Sequence, residues 1–234
     1  RLIVFKNKPK IISTATVCGK KEGSGNLGNY VDEIVADEYF GEESFEFAER
    51  KMLQSTIKKV IEKAGYKEDE VGVYIGGDLL DQIISSSFAA REFAFPFLGV
   101  YTACSTMGES MLIGALLVDG GYLKSALCAT CSHFSTAERQ YRFPLEQGTT
   151  RPAQSQWTVT GAGANLIALG NKGISITSAL IGKVVDYGVT DANNMGAAMA
   201  PAAADSIRDF FVVSGKNPND YDLILTGDLG TLGS

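Results

Sequence analysis

One cysteine stands where a reactive thiol would be useful. The segment "GVYTACSTMGES", residues 99–110, joins an apolar run to a run of small residues that opens an amphipathic helix, and Cys104 lies at the junction. Free backbone N–H groups and the helix dipole at a helix N-terminus favour a thiolate and lower the pKa of the thiol. The position is therefore compatible with a nucleophile for acyl transfer, and equally with a small residue that fills a crowded turn.

Three more polar side chains follow predicted strands. Asp78 comes after "VGVYIGG", and Ser132 and His133 come after "SALCATC". Ligands of parallel α/β sheets bind at the carboxyl ends of the strands, so we expect these side chains to converge with Cys104 on one pocket. Acyl transfer by a cysteine also needs a base, and His133 is the only histidine of the chain. A lone histidine after a strand is more often a hydrogen-bonded structural or binding residue.

Two other motifs contain the residues of a metal or cofactor site without its spacing. Cys128 and Cys131 in "CATCSH" are three positions apart on a predicted strand, so they point to opposite faces, and no second ligand pair is close in sequence. The segment "GAGANLIALG" lacks the full dinucleotide fingerprint and precedes a strand rather than a helix. We therefore expect no metal site and no cofactor. The uneven spacing of the four cysteines indicates a reducing compartment.

The elements that would position these side chains follow one plan twice. The first copy consists of "IISTATV", a loop, "FEFAERKMLQSTIKKVIEKAG" and "YKEDEVGVYIGGD"; the second consists of "ISITSALIG", a loop, "APAAADSIRDFFVVSG" and "KNPNDYDLILTGD". Apolar residues at helical spacing, an N-cap at Ser44 and a stop at Gly65 predict the first helix. Gly65 and Asp78 are 13 positions apart, and so are Gly215 and Asp228. Both copies are predicted to be strand, helix, strand.

The first copy continues with further alternating elements, from "FLGVYTAC" through "STMGESMLIGALLVDGG" and "KSALCATCS" to "QWTVTGAGANLIALG". Short β-rich runs that alternate with helical patterns predict an α/β fold with parallel strands and crossover helices. We place an N-terminal half at residues 1–172 and the start of a C-terminal half at residues 173–234. Since only residues 229–234 follow Asp228, we expect the second half to be incomplete.

Composition and charge limit the classes of partner that the chain is expected to bind. The net charge of −6, the pI near 4.9 and the lack of a Lys/Arg block argue against binding of nucleic acid. Apolar runs such as "MLIGALLV" are too short to cross a bilayer, and no signal peptide is recognisable, so we expect an intracellular protein. The polar segment 136–157 carries Arg139, Arg142 and Arg151. It is either a solvated lid or oligomer contact, or a source of guanidinium groups for an anionic ligand.

These motifs resemble the thiolase-like superfamily, which includes the ketoacyl synthases. That resemblance rests on the strand, "ACS" turn and small-residue helix, on "VTGAGA" and on the duplicated halves. A closer resemblance, over nearly the whole chain, is to the stage V sporulation protein AD family of spore-forming bacteria. It rests on "KMLQSTI", "SHFSTAERQYRFP", "MGAAMAPAAADSIRDFF" and "NDYDLILTGDLG". The resemblance implies a thiolase-like fold of duplicated α/β/α/β/α layers.

The resemblance also bears on catalysis. The condensing enzymes of the superfamily have a histidine at the end of the strand that aligns with "DLILTGD", where this chain has Thr226, Gly227 and Asp228. Condensing chemistry is therefore expected to be lost. Cys104 is then a vestigial nucleophile, and we expect no catalytic residue in the chain. The resemblance implies instead that the old pocket binds dipicolinic acid (pyridine-2,6-dicarboxylate), with Ca²⁺. The expected ligand-binding residues are Asp78, Cys104, Ser132, His133 and Arg142.

A cellular role follows from the same resemblance. Members of the family take part in loading dipicolinate into the forming spore and releasing it at germination, with other stage V sporulation proteins at the spore inner membrane. We therefore expect a peripheral protein there, and a homodimer formed through a central strand near residues 125–132 or its neighbour. Two alternatives stay open: an acyltransferase that uses Cys104 with a rearranged base such as His133, and a structural scaffold with a vestigial pocket.

Overall fold

The structure, a computed structural model, describes residues 1–82, 84–141 and 156–233. The strands in this part of the chain are β1 (Leu2–Val4), β2 (Lys10–Gly19), β3 (Glu33–Val35), β4 (Tyr74–Asp78), β5 (Phe97–Gly99), β6 (Ser125–Ser132), β7 (Gly161–Ala168), β8 (Ile174–Ser175) and β9 (Ser178–Leu180). The helices are α1 (Lys20–Gly23), α2 (Phe45–Ala64), α3 (Ile84–Ala90), α4 (Thr106–Asp119), α5 (Phe134–Tyr141), α6 (Met195–Ser214) and α7 (Gly230–Gly233). The α/β class predicted from the sequence is confirmed.

The chain folds as two compact units. The larger unit contains the described residues of Phe5–Gln140 and Thr158–Thr177. The smaller unit contains those of Arg1–Val4, Tyr141–Trp157 and Ser178–Ser234. The division of the repeat at residues 172 and 173 stays a prediction, because the units describe compactness and not duplication. None of the described helices combines the length and the apolar character needed to cross a bilayer.

The larger unit is built on one mixed sheet. Its strand order is β3-β2-β7-β6-β4-β5, with β8 also paired to β2. β4 is parallel to β5 and β6, whereas β7 is antiparallel to both β6 and β2. The expectation of parallel strands is therefore wrong at β7 and at β8, which is antiparallel to β2. Apolar periodicity reports which residues face the core, and it carries no information on strand direction.

Helices cover both faces of this sheet. The side chains of β6 alternate between them: Leu127, Ala129 and Cys131 join the core on the α2 side, and Ala126 and Cys128 join the core on the α4 side. The predicted orientation of Cys128 and Cys131 to opposite faces is confirmed. A strand that is buried on both faces needs apolar or small residues at every position, which is the pattern of "SALCATC".

α2 forms where the capping residues and the apolar spacing predict it. The Ser44 hydroxyl oxygen accepts a hydrogen bond from the Phe47 backbone N–H at 3.3 Å, and Gly65 ends the helix with φ of 69°. Met52, Leu53 and Ile57 on its inner face are fully buried against the sheet. Burying each of these side chains contributes about 2 kcal/mol, so packing rather than helix propensity holds α2 in place.

The smaller unit contains most of the second copy of the plan, from Ser178 onward, whereas β8 belongs to the larger unit. The Asn194 side chain caps α6 by accepting a hydrogen bond from the Ala197 N–H at 3.2 Å, and the helix ends at Gly215 with φ of 69°. The predicted strand "ISITSALIG" is divided into β8 and β9, and β9 pairs with β1. The predicted strand in "DLILTGD" is wrong, because residues 221–228 are exposed and pair with no described strand.

Candidate functional site

A cavity of about 380 Å³ opens in the larger unit at the ends of the central strands. Its walls come from the carboxyl ends of β2, β4 and β6, from the start of the antiparallel β7 and from the turn before α4. Asp78, Cys104 and Ser132 all line it, so the structure brings three of the predicted site residues together. Their convergence follows from the topology, because the carboxyl ends of parallel strands meet at one edge of a sheet.

Cys104 lies in a strained turn. It is exposed and sits in the 3-10 turn Ala103–Ser105, directly before α4. Ala103 has a positive φ of 43°, and its backbone N–H donates a 2.7 Å hydrogen bond to Asp81 Oδ1. Backbone in this region is costly for a residue with a Cβ, and the Asp81 contact helps to hold the turn.

The electrostatics of this turn disfavour a thiolate. Partial burial of the thiol raises the pKa of Cys104, a hydrogen bond with its own backbone N–H opposes that effect, and the Asp81 carboxylate raises the pKa further. The sequence predicted the opposite, a pKa lowered by the helix N-terminus, and that prediction is wrong. Loss of water around the sulfur and a neighbouring negative charge together outweigh the backbone hydrogen bond that lowers the pKa.

Asp78 is the charged residue at the base of the cavity. It ends β4, is 2% exposed, and its Oδ2 accepts hydrogen bonds from the Ser86 N–H at 3.3 Å and the Ser86 hydroxyl at 3.1 Å. Ser132 ends β6, and its hydroxyl donates a 2.6 Å hydrogen bond to the Val159 carbonyl. The Ser132 oxygen can still accept a hydrogen bond from a ligand.

His133 does not line the cavity. It is fully buried; its Nε2 lies 2.9 Å from the Glu38 carbonyl oxygen, and its Nδ1 accepts a 3.1 Å hydrogen bond from the Ser135 N–H. These partners assign the neutral tautomer with the proton on Nε2, and burial lowers the pKa of the ring. The expectation that His133 faces the pocket is therefore wrong, because both ring nitrogens are engaged by backbone groups. Arg142, the remaining predicted site residue, lies outside the described residues, as does Arg151.

A second cavity, of about 360 Å³, lies on the other side of Asp78 and contains a residue that the sequence analysis missed. Glu49 of α2 is 1% exposed; its Oε1 accepts from the Cys131 thiol at 3.3 Å and its Oε2 from the Thr136 hydroxyl at 3.1 Å. Burial raises the pKa of Glu49 to about 7, and the charge of Asp78 contributes to the rise. A glutamate within the apolar stripe of α2, one turn before Leu53, was the signal that could have revealed it.

The chemistry available in the first cavity is limited by its lining. Asp78 is the only charged side chain among the described lining residues, which include three thiols, from Cys18, Cys104 and Cys131. In the described ranges, no group of three or more His, Cys, Asp or Glu side chains is arranged to hold a metal ion. The arrangement offers hydrogen-bonding groups and a weakly acidic thiol in a cleft, which suits binding of a small polar molecule.

Comparison with known proteins gives consistent results. A family model described as Stage V sporulation protein AD (SpoVAD) matches residues 1–234. Stage V sporulation protein AD of Bacillus subtilis (strain 168) is 42% identical over 231 residues, which are 99% of this chain and 68% of that protein. The sequence-based recognition of this family is confirmed.

Solved structures bear out the fold. A variant of Xanthomonas campestris OleA bound with cerulenin has a TM-score of 0.69 at 13% identity, over 98% of this chain and 77% of that one. FabH, a 3-oxoacyl-(acyl carrier protein) synthase III from Xanthomonas oryzae pv. oryzae, has a TM-score of 0.62 at 14% identity, over 99% of this chain and 80% of that one. The thiolase-like fold predicted from the sequence is confirmed by these matches.

Proposed function

Because the chain belongs to the stage V sporulation protein AD family and has a thiolase-like fold, we propose that the cavity at Cys104 binds dipicolinic acid, with Ca²⁺, without catalysing a reaction. The proposal rests mainly on the protonated state of the Cys104 thiol. The pKa of Cys104 is raised, and the chain's only histidine is buried with both ring nitrogens bonded to backbone groups. A thiol without a base is a poor nucleophile, whereas it can still line a binding pocket.

Charge balance favours the calcium complex over the free dianion. Dipicolinate carries two carboxylates, and the only charged side chain in the described lining is the carboxylate of Asp78. An anion beside an unbalanced carboxylate is repelled, so a counter-charge has to enter with the ligand or come from elsewhere. Ca²⁺ supplies it in the first case. Arg142, which lies outside the described residues, would supply it in the second.

The proposed cellular role follows from the family. The protein would act with other stage V sporulation proteins at the spore inner membrane, as a peripheral component that takes part in loading dipicolinate and releasing it at germination. A homodimer is part of the proposal, but β6 and its neighbours β4 and β7 are paired on both sides. Among the described strands β5 lies at the edge of the sheet, and this edge, next to the exposed Leu98 and Tyr101, suits strand pairing between two copies better.

Calorimetry with a cavity-filling variant tests the binding proposal. Gly163 lines the cavity, and a Cβ at this position would have Met107 Cε at 3.8 Å as its nearest neighbour. Gly163→Val therefore fills the cavity with little strain, and we expect it to weaken binding of calcium dipicolinate at least tenfold, about 1.4 kcal/mol. Gly170→Val is the matched control, because Gly170 has open space around it and does not line the cavity.

The outcomes separate binding in this cavity from a scaffold with a vestigial pocket. Wild-type binding that Gly163→Val weakens and Gly170→Val leaves unchanged supports the proposal. If the wild type does not bind calcium dipicolinate, the proposal is wrong. If Gly163→Val binds it normally, the ligand binds outside this cavity. A scaffold with a vestigial pocket predicts no binding and no spore defect from Gly163→Val.

An acyltransferase is the second candidate, because the Cys104 side chain is exposed beside a cavity. Incubation with acyl-CoA thioesters, followed by mass spectrometry of the Cys104 peptide, distinguishes it. We expect no stable acyl adduct, since the thiol stays protonated near neutral pH. An adduct that Cys104→Ser abolishes would favour the enzyme.

A further inference from the structure

The two cavities share a wall that contains two buried carboxylates. Asp78 lines both cavities. Glu49 lines the second cavity and accepts a hydrogen bond from Cys131, which lines the first. A charge placed in the first cavity is therefore separated from Glu49 by one cysteine side chain and by Asp78. Both carboxylates are almost fully buried, at 1% and 2% exposure, so water screens them poorly.

The groups that face Glu49 come from several elements. β4 provides Asp78, and β6 provides the Cys131 thiol. α5 provides the Thr136 hydroxyl, and α3 provides the Ser85 side chain, which also hydrogen-bonds to Glu49. Arg139 of α5 is the only cation in the described lining of the second cavity, and it is paired with Glu46 at the start of α2. The nearby His133 is neutral and bonded to the backbone. Glu49 thus has neutral hydrogen-bond donors, a like charge beside it, and a nearby cation that is already engaged.

We propose that binding of an anion in the first cavity is coupled to uptake of one proton by Glu49 across the shared wall. This inference rests on the proposed function, because it takes dipicolinate as the anion. The proton comes from the solvent and forms an O–H bond on a Glu49 carboxylate oxygen. Cys131 and Thr136 keep their own protons, and no other bond is made or broken.

The charges around the two cavities give the reason. The described lining of the first cavity contains Asp78 and no Lys, Arg or His to balance an incoming anion. Protonation of Glu49 removes one negative charge from the shared wall, and the group is poised for it, because burial and Asp78 hold its pKa at about 7. A bound anion raises the pKa of Glu49 further. Binding therefore weakens as the pH rises above 7, by up to about tenfold per pH unit.

Calorimetry in two buffers directly measures the number of protons taken up on binding. Sodium dipicolinate without Ca²⁺ is titrated into the protein at pH 7.5, in phosphate and in Tris, whose ionisation enthalpies differ. We expect the apparent enthalpies to differ by an amount equal to uptake of about 0.5 to 0.75 proton, because about a quarter of Glu49 is already protonated at this pH. Glu49→Gln, a neutral side chain of the same size, is expected to bind with the same enthalpy in both buffers and with little pH dependence. Glu62→Gln is the matched control and keeps the buffer difference, since Glu62 is an exposed residue of α2 that lines neither cavity.

Each outcome decides something. Wild-type binding with equal enthalpies in the two buffers overturns the inference and leaves the proposed function standing. Proton uptake that persists in Glu49→Gln also overturns it, because another group then takes the proton. No binding of dipicolinate, with or without Ca²⁺, overturns the proposed function and this inference together. The neutral complex with Ca²⁺ is expected to take up fewer protons, and equal uptake with and without Ca²⁺ contradicts the role of ligand charge. If Glu49→Gln does not fold, the wild-type buffer comparison still decides whether a proton is taken up.

Discussion

The two copies of the helix, turn and strand plan share their local structure and differ in their surroundings. α2 and α6 each span 20 residues and end at a glycine with φ of 69°. In the turns that follow, the Lys67 N–H donates to the Glu70 carboxylate at 2.8 Å, and the Asn217 N–H donates to the Asp220 carboxylate at 2.9 Å. Beyond the turns, β4 is buried and paired with β5 and β6, whereas residues 221–228 are exposed and unpaired with any described strand.

The difference shows that some structural features depend on interactions between residues close in sequence, and others on the surrounding fold. Helix caps and turns act between residues that are close in sequence, so both copies form them alike. A strand needs hydrogen-bonding partners and a core, which only the first copy has among the described residues. The same holds for function: Asp78 becomes a buried carboxylate held by Ser86, whereas Asp228 accepts a local hydrogen bond from the Gly230 N–H. A residue of the repeat motif acquires its chemistry from the sheet around it.

The largest expected effect comes from one alanine substitution made in each copy. A Cβ on Gly77 would lie 2.3 Å from the Val100 carbonyl oxygen, whereas Gly227 has nothing within 4 Å. Gly77→Ala therefore forces a strand of the sheet apart and is expected to cost about 3 kcal/mol or more of unfolding free energy. Gly227→Ala is expected to change it by less than about 0.5 kcal/mol. Urea unfolding followed by circular dichroism measures both.

Neither of these two glycines has a positive φ, so alanine is compatible with the backbone of both. The comparison therefore tests only how tightly the atoms around each glycine are packed. A loss of similar size in the two variants would show that residues 221–228 are packed as tightly as β4, which contradicts the contrast between the copies.

The next effect concerns Glu49, whose equivalent in the second copy is the apolar Met199. The pKa of Glu49 rises from the ordinary 4.5 to about 7 in the folded protein. The folded state therefore binds the proton more tightly than the unfolded chain, and stability is lost as the pH rises from about 4.5 to 7. This loss is about 3 kcal/mol and is absent in Glu49→Gln, as urea unfolding at a series of pH values will show.

Glu62→Gln is the control for this measurement, because Glu62 lies on the same helix, is exposed and lines neither cavity. Its stability is expected to follow the wild-type pH dependence between pH 5 and 8. Parallel curves for wild type and Glu49→Gln would mean that Glu49 titrates as it does in the unfolded chain.

Short-range signals explain how much of the structure could be predicted. The Ser44 cap, the Gly65 stop and the apolar spacing gave α2 correctly, and the placement of polar residues after strands gave the convergence of Asp78, Cys104 and Ser132. These predictions depend on local hydrogen bonds, on periodicity and on the general rule that parallel strands align their carboxyl ends.

Predictions that needed tertiary information were wrong. The direction of β7 depends on its pairing with both β2 and β6, and the orientation of His133 depends on the Glu38 carbonyl 95 positions earlier in the chain. The pKa of Cys104 depends on burial and on Asp81, neither of which the spacing around "ACS" reveals. Side-chain chemistry at a site is decided by partners that are distant in sequence, and spacing along one segment cannot encode them.

Substitution of the glycine that ends each helix is expected to have a smaller effect on stability, equal in the two copies. Gly65 and Gly215 both have φ of 69° and open space where a Cβ would stand, so alanine at either position meets only the strain of the left-handed conformation. We expect each substitution to lower the opening free energy of the last helical turn by about 1 kcal/mol. Hydrogen exchange of the amides in those turns measures it. Gly170→Ala, with φ outside this region, is the control, and an effect confined to Gly65 would mean that the α6 cap is not formed as described.

The smallest effect concerns the turn that follows β4 and the thiol beside it. Asp81, with φ of 57°, accepts the Ala103 N–H and raises the pKa of Cys104, although burial is the larger cause. Asp81→Asn removes the charge and lowers the pKa of the thiol, so alkylation of Cys104 by iodoacetamide at pH 7.5 is expected to rise about two- to fivefold. Mass spectrometry of the Cys104 peptide over a pH series gives the rate and the pKa. Cys18, Cys128 and Cys131 are buried and should react more slowly.

Glu109→Gln is the matched control, because this carboxylate accepts from Thr102 on the same turn and is not among the causes of the Cys104 shift. It should leave the alkylation rate unchanged. An unchanged rate in Asp81→Asn contradicts the electrostatic role of Asp81. A rise well above tenfold would make Asp81, rather than burial, the main reason that the thiol is protonated. A single carboxylate would then separate this pocket from one with a reactive cysteine, and the acyltransferase alternative would gain support.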